Sequence, residues 1–174
     1  MGGFCGAISN RDVVLDVYFG TDYHSHLGTR RGGMAVYSRE AGFQRAIHNI
    51  ENSPFRTKFD KTVGEMVGKC CIGSISDTDP QPLLVRSVHG TYAICVVGVI
   101  QNEEAIIEQM LGDADRHFEA MSGGRVNSNE LVAALISQQD ERLLRLEKLK
   151  PLRDVVTRER DFIAEWMRGA AEEK

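Results

Sequence analysis

Apolar residues recur along this chain with two periods. Where the period is two, strands are predicted; where it is nearer four, helices. A short apolar run, Gly3–Ser9, predicts a first strand. Val13 to Leu27 predicts a helix, with Val14, Tyr18 and Leu27 on recurring faces and an interruption at Gly20. Gly32-Gly33 breaks the chain, and Met34-Ala35-Val36-Tyr37 begins again as a strand. Gly42 to His48 alternates as a third strand, linked through Glu40-Ala41-Gly42 in a hairpin. Ser53 as N-cap and Pro54 at the first helical position predict a helix from Phe55 to Val67. Three strand-like segments follow: Lys69–Ser76, Pro82–Val88 and Thr91–Ile100. The stretch from Cys95 to Ile100 is nearly all apolar, as in a strand buried on both faces. Asp77-Thr78-Asp79-Pro80 and His89-Gly90 are turn signals. Glu103–Leu111 predicts a short helix, Ser122-Gly123-Gly124 a loop, and Asn127 or Ser128 the cap of a helix over Glu130–Gln138. Strand clusters separated by helices predict an α+β fold.

The texture changes from Gln139 onward. Leu143, Leu146, Leu149, Val155, Phe162 and Trp166 recur at helical spacing in a background dense with Arg, Glu, Asp and Lys. Pro151 divides the segment, so two charged amphipathic helices are predicted. The organisation read from the chain is therefore a domain over 1–137 and a charged helical tail over 138–174. Such a tail packs on its own domain or offers a docking element to a partner protein, and its charge runs read as solvated faces.

Composition narrows the class. At 174 residues the chain is long enough for a domain with a real core. Lys+Arg 21 against Asp+Glu 25 leaves a net charge of −4, with no basic patch to suit nucleic acid. No apolar run approaches the roughly 20 residues that span a membrane. No basic region precedes the first apolar stretch, so no secretory signal is expected. Met1-Gly2 lacks the Ser or Thr at position 6 that myristoylation wants. Cys5, Cys70, Cys71 and Cys95 form no Cys-x-x-Cys pair, which argues for reduced thiols in a cytoplasmic protein and against a zinc site. No cofactor is expected.

Several short segments together carry a family resemblance: Gly3-Phe4-Cys5-Gly6, Leu27-Gly28-Thr29-Arg30-Arg31-Gly32-Gly33-Met34-Ala35, Ile72-Gly73-Ser74-Ile75-Ser76, Gln81-Pro82, Val97-Gly98-Val99-Ile100-Gln101-Asn102 and Asn127-Ser128-Asn129-Glu130-Leu131. In their order and spacing the chain resembles the glutaminase domain of the amidophosphoribosyltransferases, which are class II glutamine amidotransferases of the N-terminal-nucleophile hydrolase type. The resemblance runs from Met1 to about Ser137. It implies a four-layer αββα sandwich and an ancestral reaction in which glutamine is hydrolysed and ammonia passes to phosphoribosyl pyrophosphate in purine biosynthesis.

The same resemblance marks chemical losses. The family exposes an N-terminal Cys whose own α-amino group, with a pKa of about 7.7–8.0, activates the thiol. Removal of Met1 would here expose Gly2, which has no nucleophile. The family's carboxylate-gripping Arg is replaced by Ser76, and a hydroxyl cannot supply a charged bidentate fork. The family's oxyanion segment reads Val96-Val97-Gly98-Val99: Gly98 persists, but Val97 cannot donate. Losing one such donor typically costs on the order of 10²–10³ in rate. The Asp that holds the substrate amino group is replaced by Ser128. Arg30 matches a family Arg, while Arg31-Gly32-Gly33 departs from the pattern. The strands that would complete the sandwich, and a phosphoribosyltransferase domain, have no counterpart in the charged tail. An incomplete sandwich is therefore expected.

Other candidates have plainer readings. Cys5 is the remaining candidate nucleophile, but a Cys on an apolar strand behaves as a small hydrophobe. Cys70-Cys71 point to opposite faces of a strand and Cys95 sits in an apolar run. His24 and His26 would share a face only if extended, and no third metal ligand is evident. His48 and His89 read as surface or turn residues. Arg30-Arg31 beside Gly32-Gly33 is a candidate anion contact through a backbone nest, against the plainer reading of a solvated turn. Three functional readings follow: an amidophosphoribosyltransferase-like protein without glutaminase activity; a non-catalytic regulatory or scaffolding module that binds a metabolite or a partner protein; and a truncated product without independent function. Glutamine or a purine nucleotide is the expected small-molecule partner, and the C-terminal helices are the expected contact for a protein partner.

Overall fold

The computed structural model describes residues 2–28, 30–87, 90–112, 126–139, 142, 143, 145, 147 and 148. The chain divides into two compact units, Met1–Ala134 and Leu135–Lys174. The described residues of the second unit are all helical. Expectations that rest on Leu146, Leu149, Pro151, Val155, Phe162, Trp166, His89 and the Ser122-Gly123-Gly124 loop lie outside the described residues.

The first unit is α+β. Its frame is a four-stranded antiparallel sheet of β1 (Gly2–Ile8), β2 (Arg31–Ser38), β3 (Gly42–Asn49) and β4 (Cys70–Ser76) in the order β1-β4-β2-β3. Period-two alternation settles the faces. Gly3, Cys5 and Ala7 of β1 stand in register with Ile75, Gly73 and Cys71 of β4, and Ile75 and Gly73 in turn face Gly32 and Met34 of β2. That face is covered by helices α1 (Val14–Tyr23) and α2 (Phe55–Glu65). Val14, Val17 and Tyr18 of α1, Phe55, Phe59 and Val63 of α2, and Met34, Val36, Cys71 and Ile75 of the sheet make one buried cluster. Each large apolar side chain buried in this way contributes roughly 1.5–3 kcal/mol. Phe55 and Phe59 stack at 4.3 Å between ring centroids.

Two polar bridges fix α1 against α2. The Tyr18 hydroxyl donates to Asp60 Oδ1 at 2.7 Å, and Arg56 Nε donates to Asp22 Oδ2 at 2.7 Å. Behind the sheet, β5 (Leu83–Ser87) and β6 (Gly90–Ile94) form an antiparallel pair. Thr91, Tyr92 and Ala93 of β6 line a cavity of about 570 Å³ with Ala35 and Tyr37 of β2 and Ile72 of β4, so this pair covers the other face of the sheet. Helix α3 (Glu103–Gly112) follows, and residues 128–134 are helical at the end of the unit.

The structure corrects four local expectations. The first helix ends at Tyr23, and Ser25–Leu27 continues as a 3-10 turn. Ser53 does not cap α2: Pro54 occupies the N-cap position, and no side-chain hydrogen bond closes that end. The last strand stops at Ile94 instead of reaching Ile100. Cys95–Ile100 is not a strand buried on both faces, because Val97 is 40% exposed and Val99 is 89% exposed. Gly98 there has φ +148°, a backbone angle outside the strand region. Asn127, one of the two proposed caps, does close the helix over 128–139, with its Oδ1 accepting from Asn129 N at 2.8 Å.

Candidate functional site

One end of the four-stranded sheet brings three predicted positions close together. Gly2 of β1 and Arg31 of β2 both stand in register with Ser76 at the end of β4. Alternation puts all three on the face opposite the helices. Ser76 is buried, and its hydroxyl turns back on the chain that leaves the strand: Oγ accepts from Thr78 N at 3.2 Å and lies 3.3 Å from Thr78 Oγ1. Arg31 Nη1 donates to the Thr78 carbonyl, so the nearby cation is tied to the same turn.

Residues 78–81 then connect the other predicted positions. Asp79 Oδ2 accepts from Ser128 N at 3.4 Å, placing a carboxylate at the first turn of the helix over 128–139, where the dipole favours a negative charge. Gln81 is buried and spans a backbone gap with both ends of its amide: Nε2 donates to Val96 O at 3.1 Å and Oε1 accepts from Val96 N at 2.8 Å. This clamp holds the stretch leading into Val97 and Gly98. The Gln81 carbonyl lies so close over Gly33 that a Cβ there would come within 1.8 Å of it, which is why β2 carries glycine at that position. Asn127 and Asn129 are buried beside Ser128, and Asn127 Oδ1 also accepts from Asn129 Nδ2 at 2.9 Å.

Gly2, Ser76, Val97, Gly98 and Ser128 are thus connected through one turn. The sequence did not single out Arg31, Thr78, Asp79 or Gln81 as its centre. The Gln81-Pro82 pair was an available signal, since a Pro-containing anchor between strands marks a constrained crossing. Arg31 was legible only as part of the Arg30-Arg31 candidate anion contact, and its place beside Ser76 follows from the strand register.

Cys5 is placed elsewhere. It alternates with Gly2 along β1 and faces α1, where a Cβ on Gly20 would meet its Sγ at 2.3 Å. Burial raises the Cys71 thiol to about 12, with smaller contributions from Cys70, Cys5 and Asp12, and burial also pushes the Cys95 thiol up. All four cysteines are free thiols. Arg30 forms an exposed ion pair with Glu51 at 3.5 Å. His24 and His26 each contact the Tyr23 ring, and His48 lies 3.3 Å from Thr62 Oγ1. Among the described residues no group of three or more His, Cys, Asp or Glu could hold a metal ion, and no helix is long and apolar enough to cross a membrane.

No protein-family profile and no curated protein sequence matches this chain. Its structure is similar to that of glutamine phosphoribosylpyrophosphate amidotransferase from B. subtilis, solved with ADP and GMP, with a TM-score of 0.61 and 22% identity. The similarity covers 78% of this chain and 29% of that one. It establishes a shared fold.

Proposed function

We propose that this chain is an amidophosphoribosyltransferase-like protein, built on a class II glutaminase-type sandwich, that does not hydrolyse glutamine and acts as a non-catalytic regulatory or scaffolding module. The observation that carries this reading is the separation of the thiol from the site. Gly2, Ser76 and Arg31 share one face at the end of the sheet, whereas Cys5 Sγ lies on the other face against Gly20. A nucleophile must approach its substrate to within about 3–3.5 Å. A thiol three residues along the strand, roughly 10 Å at 3.3 Å per residue, and facing the helices cannot do so.

The rest of the site supports the same conclusion. Ser76 supplies a hydroxyl already engaged with Thr78, and Arg31 is bonded to the Thr78 carbonyl. Val97 offers no side-chain donor to a developing oxyanion. Ser128 carries a hydroxyl in place of a carboxylate that could hold a substrate ammonium, and its backbone N–H donates to Asp79. Purine nucleotides are the ligand class we propose, since the B. subtilis enzyme of the same fold was solved with ADP and GMP. We assign the protein to the cytoplasm, where free thiols persist.

The test has two arms. Purified protein incubated with glutamine should release no more ammonia than buffer; release that disappears in Cys5→Ala overturns the reading. Thermal-shift titrations with glutamine, ADP, GMP and phosphoribosyl pyrophosphate should show a shift with nucleotide and none with glutamine. A shift with glutamine alone would restore a substrate role for the site.

A further inference from the structure

The cavity behind the sheet is a second concave site, away from the turn at Thr78. Strand register lays the outer face of the sheet out in rows. Gly2, Ser76 and Arg31 lie in the row at one end. Cys70, Tyr37 and Phe43 lie in the row at the other end, and Ile72, Ala35 and Arg45 in the row beside it. The cavity lies between these last two rows and Thr91, Tyr92 and Ala93 of β6. From Arg31 to Ala35 is roughly 13 Å along β2 at 3.3 Å per residue, so the two sites are distinct. A volume of about 570 Å³ is in the range of small-molecule sites, which are lined mainly by apolar and aromatic groups with a few polar ones that orient the ligand. Tyr37 and Phe43 form an aromatic wall, with ring centroids 4.9 Å apart. Tyr37 is 41% exposed, so the cavity opens to solvent beside it. Ala35 and Ala93 are short, and larger side chains there would fill the space.

We propose that this cavity binds a small aromatic carboxylate, with its ring on the Tyr37–Phe43 wall and its carboxylate on Arg45. Arg45 pairs with Ala35 in register and alternates with Phe43 along β3, which sets it at the cavity's edge. Cross-strand neighbours hold their Cβ atoms about 4.5–5.5 Å apart, well within the reach of an arginine. Its Nη1 donates to the Pro82 carbonyl at a long 3.4 Å, and Nε and Nη2 remain to meet a carboxylate in bidentate fashion. Charge selects an anion. The outer face of the sheet carries Arg31 and Arg45, the β5–β6 pair carries Arg86, and none of these strand positions holds Asp or Glu. Past Tyr37 and Cys70, Asp12 and Glu40 share a groove with Arg39 and Lys69, so acids and bases balance there and the excess cation belongs to the cavity side. Tyr92 adds a second observation. Its ring lines the cavity, and its buried hydroxyl has no hydrogen-bond partner among the described residues. An unpaired buried hydroxyl is unfavourable, and a ligand oxygen that reaches it would offset this.

Equilibrium dialysis of the full chain against 2-naphthoate tests this, with 2-acetylnaphthalene as a neutral probe of nearly the same shape and melting temperatures to confirm that each variant stays folded. The wild-type protein should bind 2-naphthoate saturably at one site, and the ketone at least roughly tenfold more weakly, the effect of losing a charge-assisted pair. Arg45→Met should weaken 2-naphthoate by a similar factor and leave the ketone unchanged. Ala93→Leu, which fills the cavity, should weaken both probes. Arg11→Met removes a cation that is paired with Asp16 at the start of α1 and should change neither. No saturable binding, equal binding of the two probes, indifference to Arg45→Met, or equal loss in Arg11→Met would each overturn the proposal. So would binding that survives in a folded Ala93→Leu protein; if that variant does not fold, the Arg45→Met comparison decides alone. None of these outcomes depends on whether the protein hydrolyses glutamine.

Discussion

Cys5 and Gly20 meet so closely that a single added methyl group would collide: a Cβ on Gly20 would stand 2.3 Å from Cys5 Sγ and 3.2 Å from its Cβ. Gly20→Ala gains about 1 kcal/mol of helix propensity but pushes α1 off β1, and overpacking of this kind costs roughly 1–3 kcal/mol. Chemical denaturation should show a net loss of stability. The double variant with Cys5→Ala should recover most of it. Simple additivity of the two changes would show that the contact is not the cause.

Tyr18→Phe removes the hydroxyl that links α1 to Asp60 and leaves that carboxylate short of a donor. The expected loss is roughly 1–3 kcal/mol, since the bond involves a charged acceptor. A melting temperature equal to that of wild type would mean the bridge contributes nothing.

The same hydroxyl makes the fold sensitive to alkali. Burial, then the Asp60 hydrogen bond and the Asp60 charge, raise Tyr18 to about 12 from an ordinary value of 10.0. The folded state therefore holds this proton more tightly than the unfolded chain does. The associated stability is fully present below about pH 10 and is lost as pH rises through about 12. Cys71 acts in the same direction, from its ordinary 9.0 up to about 12. Alkaline titration followed by circular dichroism should show stability falling across this range, with a shallower fall in Tyr18→Phe. Identical curves would sink the assignment.

Thiol chemistry reports on packing. Only the thiolate reacts, and burial keeps Cys71 and Cys95 protonated at pH 8. An aromatic disulfide reagent should therefore label buried Cys71 only as fast as the protein unfolds, while half-buried Cys5, Cys70 and Cys95 set any faster phase. Mass spectrometry of the fast products would identify the sites; early labelling at Cys71 would contradict the core described for it.

Gln81→Leu keeps the volume but removes both hydrogen bonds to Val96. It leaves a part-buried backbone N–H and C=O without their protein partner, at roughly 0.5–1.5 kcal/mol for each lost hydrogen bond. Amide exchange at Val96 should accelerate along with a drop in melting temperature. Unchanged exchange there would show that something other than Gln81 orders this segment.

What the sequence determined by itself was the set of regular elements and their class. Strands at Gly3–Ser9, Met34–Tyr37, Gly42–His48 and Lys69–Ser76 were legible as short runs of apolar residues bounded by glycine and turn segments. The helix over Phe55–Val67 was legible at a longer period. Its start was not, because Ser53 has the right chemistry for a cap and the backbone enters at Pro54. The segment from Cys95 to Ile100 misled for a related reason: an apolar run records burial only if something covers it, and Val99 is solvated. Gly2, Ser76, Val97 and Ser128, the residues that the resemblance sets at the family's chemical positions, were visible as residue types. Tertiary structure alone decided how they connect. The register that aligns Gly2, Ser76 and Arg31, the turn through Thr78 and Gln81, and the face on which Cys5 lies all depend on pairings between segments far apart in the chain. Local periodicity carries no information about such pairings, because it is set by each segment's own burial and not by the identity of the neighbour that buries it.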